Sequence, residues 1–195
     1  MTICGRKGTH VDRVNKQQHG YSLVEMLMVV SVASIFAAMA IPTFQTAMEQ
    51  SDADAAAQVV AQELNFAQAM AVGSHGNILV QFDSAPNSVV VAPGTASVRG
   101  PFVFPSNTTF LNSNPVLDTP DALGNTVLGP GNNNTITFLD NGEAATDGTG
   151  TNLYSGTFFI EHVNGNPATL RAVTLLGGTG RVHIWQYVPS SNSWQ

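Results

Sequence analysis

Two kinds of chemistry are readable near the N-terminus, in Gly20-Tyr21-Ser22-Leu23-Val24-Glu25. Gly20 stands between a basic leader and an apolar run, and a peptidase cutting at a membrane face needs a small residue at the bond. The Gly20–Tyr21 bond is therefore one candidate cleavage point. Glu25 is the one charge in the nineteen positions from 23 to 41. A carboxylate in hydrocarbon is costly unless it meets a cation, so Glu25 is expected to pair with a positive group elsewhere.

Other chemistry finds little material after Gly20. The sole cysteine is Cys4 and the two lysines are Lys7 and Lys16. A product cut at Gly20 would hold three arginines against twelve acids, a net charge of −9, with no lysine and no cysteine. Thiol catalysis, Schiff-base chemistry, a P-loop lysine and a disulfide framework are excluded for it. No G-x-S-x-G elbow occurs. His75, His162 and His183 are spread too widely for metal-ligand spacing. Asp140, Glu143 and Asp147, with Gly142 and Gly148, lack the calcium-loop pattern and read as a solvated turn. No catalytic residue, metal site or cofactor is expected, so the chain does not read as an enzyme.

The elements that position the N-terminal residues start with the apolar run. At 1.5 Å per residue, 23 to 41 spans roughly 28 Å, about one hydrocarbon thickness. Arg6, Lys7, Arg13 and Lys16 precede it, and the next basic residue is Arg99. The positive-inside rule then puts the leader in the cytoplasm and the rest outside. Three readings of the run compete: a secretory signal peptide cut after Ala38-Met39-Ala40, a plain single-span anchor, and a leader cut at Gly20 with the span retained. The first two leave Glu25 unexplained.

Pro42 is a candidate kink just past the span. Helical spacing resumes at Phe44 and Met48. Ala55, Ala56, Val59, Val60, Leu64, Phe66, Ala67, Met70 and Ala71 follow at intervals of three and four. Gln58, Gln62, Asn65 and Gln68 fall on the opposite face, which predicts an amphipathic helix over 43–76 that ends at Gly73 and Gly76. Strands are expected at 78–82, 88–92, 102–104, 108–111, 135–139, 157–160, 169–175 and 181–187, the first two forming a hairpin across a Pro86-Asn87 turn. Residues 112–134, rich in Asn, Gly and Pro, read as a long exposed loop. The fold class is α+β: one long N-terminal helix, half spanning a membrane and half amphipathic, packed on mostly antiparallel sheet.

Gly-Tyr-Ser-Leu-Val-Glu-Met-Leu, over 20–27, resembles the processing motif of type IV prepilins and type II secretion pseudopilins. Tyr21 and Ser22 stand where that family more often has Phe and Thr, and Pro42 falls where many pilins carry a proline. In the C-terminal half, Ile136-Thr137-Phe138, Gly142 and Gly180-Arg181-Val182 resemble the GspH/FimT group of minor pilins. The resemblance implies four segments: a cleaved class III leader (1–20), a transmembrane and filament-core helix (21–42), an amphipathic helix (43–76) and a β-rich periplasmic head (77–195). It implies prepilin peptidase as a partner, cutting after Gly20 and methylating the Tyr21 amine. It also implies an inner-membrane assembly platform and other major and minor pilins or pseudopilins as partners. Glu25 would pair with the N-terminus of a neighbouring subunit. The location implied is a single pass of the inner membrane with a periplasmic head, and then a filament, at or near its tip. The alternative is a DNA-binding minor pilin of a competence pilus, with contacts at Arg181 and Arg171. Against it, His183 and Gln186 stand where more basic residues would be wanted, and an acidic chain gives weak attraction for phosphate. Nucleic acid is therefore not the expected partner.

Overall fold

The first helix, α1, runs Leu23–Ser74 and contains Pro42, with helical backbone on both sides of it. The structure, a computed structural model, describes residues 21–84, 87–92, 99–105, 107–116, 120–123, 127–128, 134–146 and 148–195. The leader (1–20), much of the 112–134 loop and Asp147 lie outside the described residues. The chain divides into two units, Met1–Pro42 and Thr43–Gln195.

In the first unit the helical residues are exposed throughout. The second unit buries one stripe of α1: Ala53, Ala56, Ala57, Val60, Ala61, Leu64, Ala67 and Ala71. Spacings of three and four keep these on one face, and the alanines let backbone approach sheet closely. The stripe differs from the expected one at two points. Ala55 is exposed while Ala53, Ala57 and Ala61 are buried, a rotation of the stripe by part of a turn. Gln68, expected on the solvent face, is half-buried and ties the helix to two turns. Glu63 is also inside, 3 % exposed.

The helix ends one turn past Ala71. His75 takes a positive φ of 50°, and the Gly76 N–H donates to the Ala71 carbonyl at 3.2 Å. That bond closes the last turn as a left-handed cap does, with His75 rather than a glycine in the left-handed position.

Among the described residues ten strands follow: β1 (Ile78–Ser84), β2 (Asn87–Ala92), β3 (Arg99–Val103), β4 (Thr108–Leu111), β5 (Thr135–Phe138), β6 (Ala144–Ala145), β7 (Gly156–His162), β8 (Arg171–Leu176), β9 (Arg181–Val188) and β10 (Ser193–Trp194). They form two five-stranded sheets ordered β3-β2-β1-β5-β6 and β10-β9-β8-β7-β4, with antiparallel neighbours throughout. The β1–β2 hairpin pairs Ser84 with Asn87, so Asn87 belongs to the strand rather than to the turn. Thr169 and Leu170, expected in β8, instead end a 3-10 turn over Pro167–Thr169. The reason is local: Pro167 presets the turn, and the Asn166 side chain accepts from the Ala168 N–H at 3.1 Å.

The main core lies between α1 and both sheets. Phe82 of the first sheet packs on Phe158 and Phe110 of the second, with ring centroids 4.5 and 6.0 Å apart. A smaller core forms on the far face of the second sheet from Phe159, Leu170, Ala172, Tyr187 and Trp194. Strand β7 runs between the two cores and is apolar on both faces for that reason: Phe158 and Ile160 enter one, Phe159 the other.

Candidate functional site

The N-terminal residues that read as chemically active lie at the start of α1. Tyr21 is 74 % exposed, and Ser22 precedes the first helical residue, its carbonyl accepting the Met26 N–H at 3.1 Å. Glu25 lies in the first turn and is exposed. A carboxylate there is favoured by the unsatisfied N–H groups and positive end of the helix. Gly20 itself lies outside the described residues.

Around Glu25 the helix presents Leu23, Val24, Met26, Leu27, Met28, Val29 and Val30, each at least half exposed. Its hydroxyls are satisfied within the helix: Ser31 Oγ donates to the Met28 carbonyl at 2.8 Å and Ser34 Oγ to the Ser31 carbonyl at 2.7 Å. No water is then needed along this stretch, as a hydrocarbon environment requires. Among the described residues α1 is the one helix long and apolar enough to cross a membrane.

A known family, the prokaryotic N-terminal methylation motif, matches residues 15–41, the stretch that holds Gly20, Tyr21, Glu25 and the apolar run. The chain carries a prokaryotic N-terminal methylation motif. The motif stands at the head of one long N-terminal helix whose second half packs on two antiparallel sheets, and a single apolar N-terminal helix bearing that motif fits anchoring in the inner membrane. No curated protein matches the chain. Among solved structures, the type IV minor pilin FimU of Pseudomonas aeruginosa is similar at 19 % identity and TM-score 0.49, over 75 % of this chain and 95 % of that one. The minor pseudopilin EpsH from the type 2 secretion system of Vibrio cholerae is similar at 14 % identity and TM-score 0.46, over 69 % and 97 %.

The two arginines singled out on the C-terminal strands have different surroundings. Arg181, at the start of β9, is 60 % exposed and donates to Asp121 at 3.1 Å. Asp121 sits in a left-handed turn (φ 57°) and also accepts from Thr174 Oγ1 at 2.6 Å, so it clamps the 3-10 turn Pro120–Ala122 onto β8 and β9. Arg171 is 1 % exposed, lies against Asp54 of α1, and donates to the carbonyls of Ala168 and Leu170 at 2.9 and 3.0 Å. It faces the protein interior.

The histidines are apart, and no group of three or more His, Cys, Asp or Glu able to hold a metal ion occurs among the described residues. His75 caps α1, His183 packs edge-on against Trp185 at 4.4 Å, and His162 is buried at the end of β7. The 140–143 segment is a turn closed by Gly142 N–H to the Leu139 carbonyl at 2.9 Å, with Glu143 held by Asn141 at 2.7 Å.

Sequence reasoning passed over Glu49, Asp52, Asp54, Glu63 and Asp121. The acids of α1 follow an available signal, since Glu49, Asp52 and Asp54 interrupt the solvent-to-core transition of a helix that has few charges elsewhere. The partners of Glu49 and Asp54, at Asn164, Asn166 and Arg171, lie more than a hundred positions away.

Proposed function

We propose that the chain is a minor pilin or pseudopilin, a non-catalytic structural subunit of a type IV pilus or type II secretion pseudopilus. The observation that carries this reading is the contrast along α1. Its first half is apolar and exposed with Glu25 in the first turn, inside a methylation motif, whereas its second half buries a stripe in the head. An apolar surface of that size is stable in a bilayer or against copies of itself, and not in water.

In this reading prepilin peptidase cuts after Gly20 and methylates the Tyr21 amine. The span (21–42) stores the subunit in the inner membrane, with 43–195 in the periplasm. An assembly platform then moves it into a filament of other pilins, at or near the tip, where the helices pack in a water-free core. There the Glu25 carboxylate pairs with the positive N-terminus of a neighbour and fixes the axial register. An uncompensated carboxylate in that core would be strongly unfavourable. Pro42 marks the boundary where the helix passes from span to head. The test is Glu25→Ala: the precursor is still cut, but the subunit is absent from sheared filaments. Normal incorporation would refute the pairing role.

The DNA-uptake reading rests on the exposure of Arg181 beside His183 and Trp185 on β9. Its arginine is already engaged by Asp121, and Arg171 is turned inward. Salt-dependent DNA binding by the full chain in zwitterionic detergent, abolished by Arg181→Ala, would establish that reading. Absence of binding at low salt would remove it.

A further inference from the structure

A groove of about 440 Å³ opens on the head beside α1, lined by Gln45, Met48, Glu49 and Asp52 on the helix and by Asn107 and His162–Asn164 at the end of β7. The helix residues fall at intervals of three, four and seven, so they share one face. The groove holds two carboxylates. Glu49 accepts from Asn164 Nδ2 at 2.8 Å on one oxygen and from Asn166 Nδ2 at 3.4 Å on the other. These neutral amides fix the carboxylate and leave its charge uncompensated. Of the arginines whose side chains are described, Arg171 is engaged by Asp54 and Arg181 by Asp121.

The buried wall adds an independent observation. His162 is 5 % exposed and lines the groove. Its Nδ1 accepts the Asn164 backbone N–H at 3.4 Å, so the neutral ring carries its proton on Nε2. Among the described residues that Nε2–H has no acceptor. A protonated Nε2 cannot ligate a metal, which argues against a cation site here. The groove instead presents one fixed donor, two anionic acceptors and an apolar lip made by Met48 and Val163, each more than half exposed.

We propose that this groove docks a lysine-bearing segment of a partner protein. The lysine stem lies along Met48 and Val163, as long cationic side chains do on apolar surface. Its ammonium sits between Glu49 and Asp52, and a backbone carbonyl of the same segment accepts from His162 Nε2–H. Lysine fits Glu49 better than arginine because both Glu49 oxygens are already held, one by each asparagine, and Glu49 therefore offers no open edge for a bidentate fork. A second mature copy cannot be the occupant, because after Gly20 the sequence contains no lysine. The partner is therefore a different protein. That it is a neighbouring filament subunit rests on the proposed function.

Carbodiimide cross-linking tests this directly. The reagent joins a carboxylate to an amine as an amide, taking up the water lost as its urea. Cells producing the full chain are treated, filaments are sheared off and separated from membranes, and linked peptides of the chain are mapped by mass spectrometry in both fractions. The expected result is a link from Glu49 or Asp52 to a lysine of another protein, at least about tenfold more abundant than links from the exposed Asp140. The link should be lost in Glu49→Gln/Asp52→Asn and reduced several-fold in His162→Phe, which keeps a buried ring without the donor. Groove links found only in the membrane fraction would uphold the docking and count against the filament reading. A chain present in filaments with no groove link, links spread evenly over exposed acids, or a groove link to the Tyr21 amine of a second copy would each overturn the docking.

Discussion

Arg171 and Asp54, which are 117 positions apart, form an ion pair that fastens the second sheet to α1. The guanidinium is buried and the carboxylate half-exposed, so the pair is asymmetric. Loss of the carboxylate would leave the arginine charge inside with only the Ala168 and Leu170 carbonyls, while loss of the arginine would leave Asp54 in reach of water.

Asp54→Ala should therefore destabilise the head by about 3 kcal/mol, the lower end of the range for breaking a buried pair. Adding Arg171→Met to that variant should recover part of the loss, because the uncompensated charge goes with it. Urea unfolding of the full chain in detergent, followed by the fluorescence of Trp185 and Trp194, gives both values. A cost below about 1 kcal/mol for Asp54→Ala would show that the pair is not structurally important.

A second tie joins α1 to both sheets through one amide. Gln68 Nε2 donates to the Gly142 carbonyl at 3.0 Å and to the Thr179 carbonyl at 2.9 Å. Gly180 makes room for it: a Cβ there would stand 2.2 Å from Gln68 Nε2 and 2.3 Å from the Gly142 oxygen, at a φ of +63° that disfavours any side chain. Gly180→Ala should cost more than Gln68→Ala, whose loss is about 1–3 kcal/mol for two stranded carbonyls. Combining the two should not restore wild-type stability, since the clash with the Gly142 backbone remains. Denaturation midpoints order the three variants, and a harmless Gly180→Ala would contradict the packing described.

Glu161 supplies a pH dependence. Burial raises its pKa above the ordinary carboxylate value of 4.5. Below that value the folded and unfolded chains both hold the proton. As pH rises from 4.5 through the raised folded-state value, the unfolded chain releases it first, so stability falls across that window and stays lower above it. Glu161→Gln removes the effect. Its stability relative to wild type should be greater at pH 7 than at pH 4, as measured by urea unfolding at both. An unchanged difference would mean that Glu161 is not desolvated in the fold.

Much of the architecture could be read from local pattern. The apolar run, the single charge at Glu25 and the basic leader are contiguous features, and β1, β2, β5 and β9 stand out as short runs rich in β-branched and aromatic residues. What could not be read depends on contacts distant in sequence. Gln68 looks like one more solvent-facing amide until Gly142 and Thr179 meet it, and Arg171 looks like a strand residue with a free charge until Asp54 covers it. Strands β6 and β10 have two residues each, too few to show a period. The groove at Glu49 escaped for the same reason, since its far wall is made by His162 and Asn164.

In the proposed function, Gly20 divides a removed leader from an N-methylated span. Intact-mass and N-terminal peptide mass spectrometry of the chain purified from membranes tests it most directly. The expected product begins at Tyr21 and carries one added methyl group on its amine. A chain beginning at Ile41, or one that retains Met1–Gly20, would contradict it.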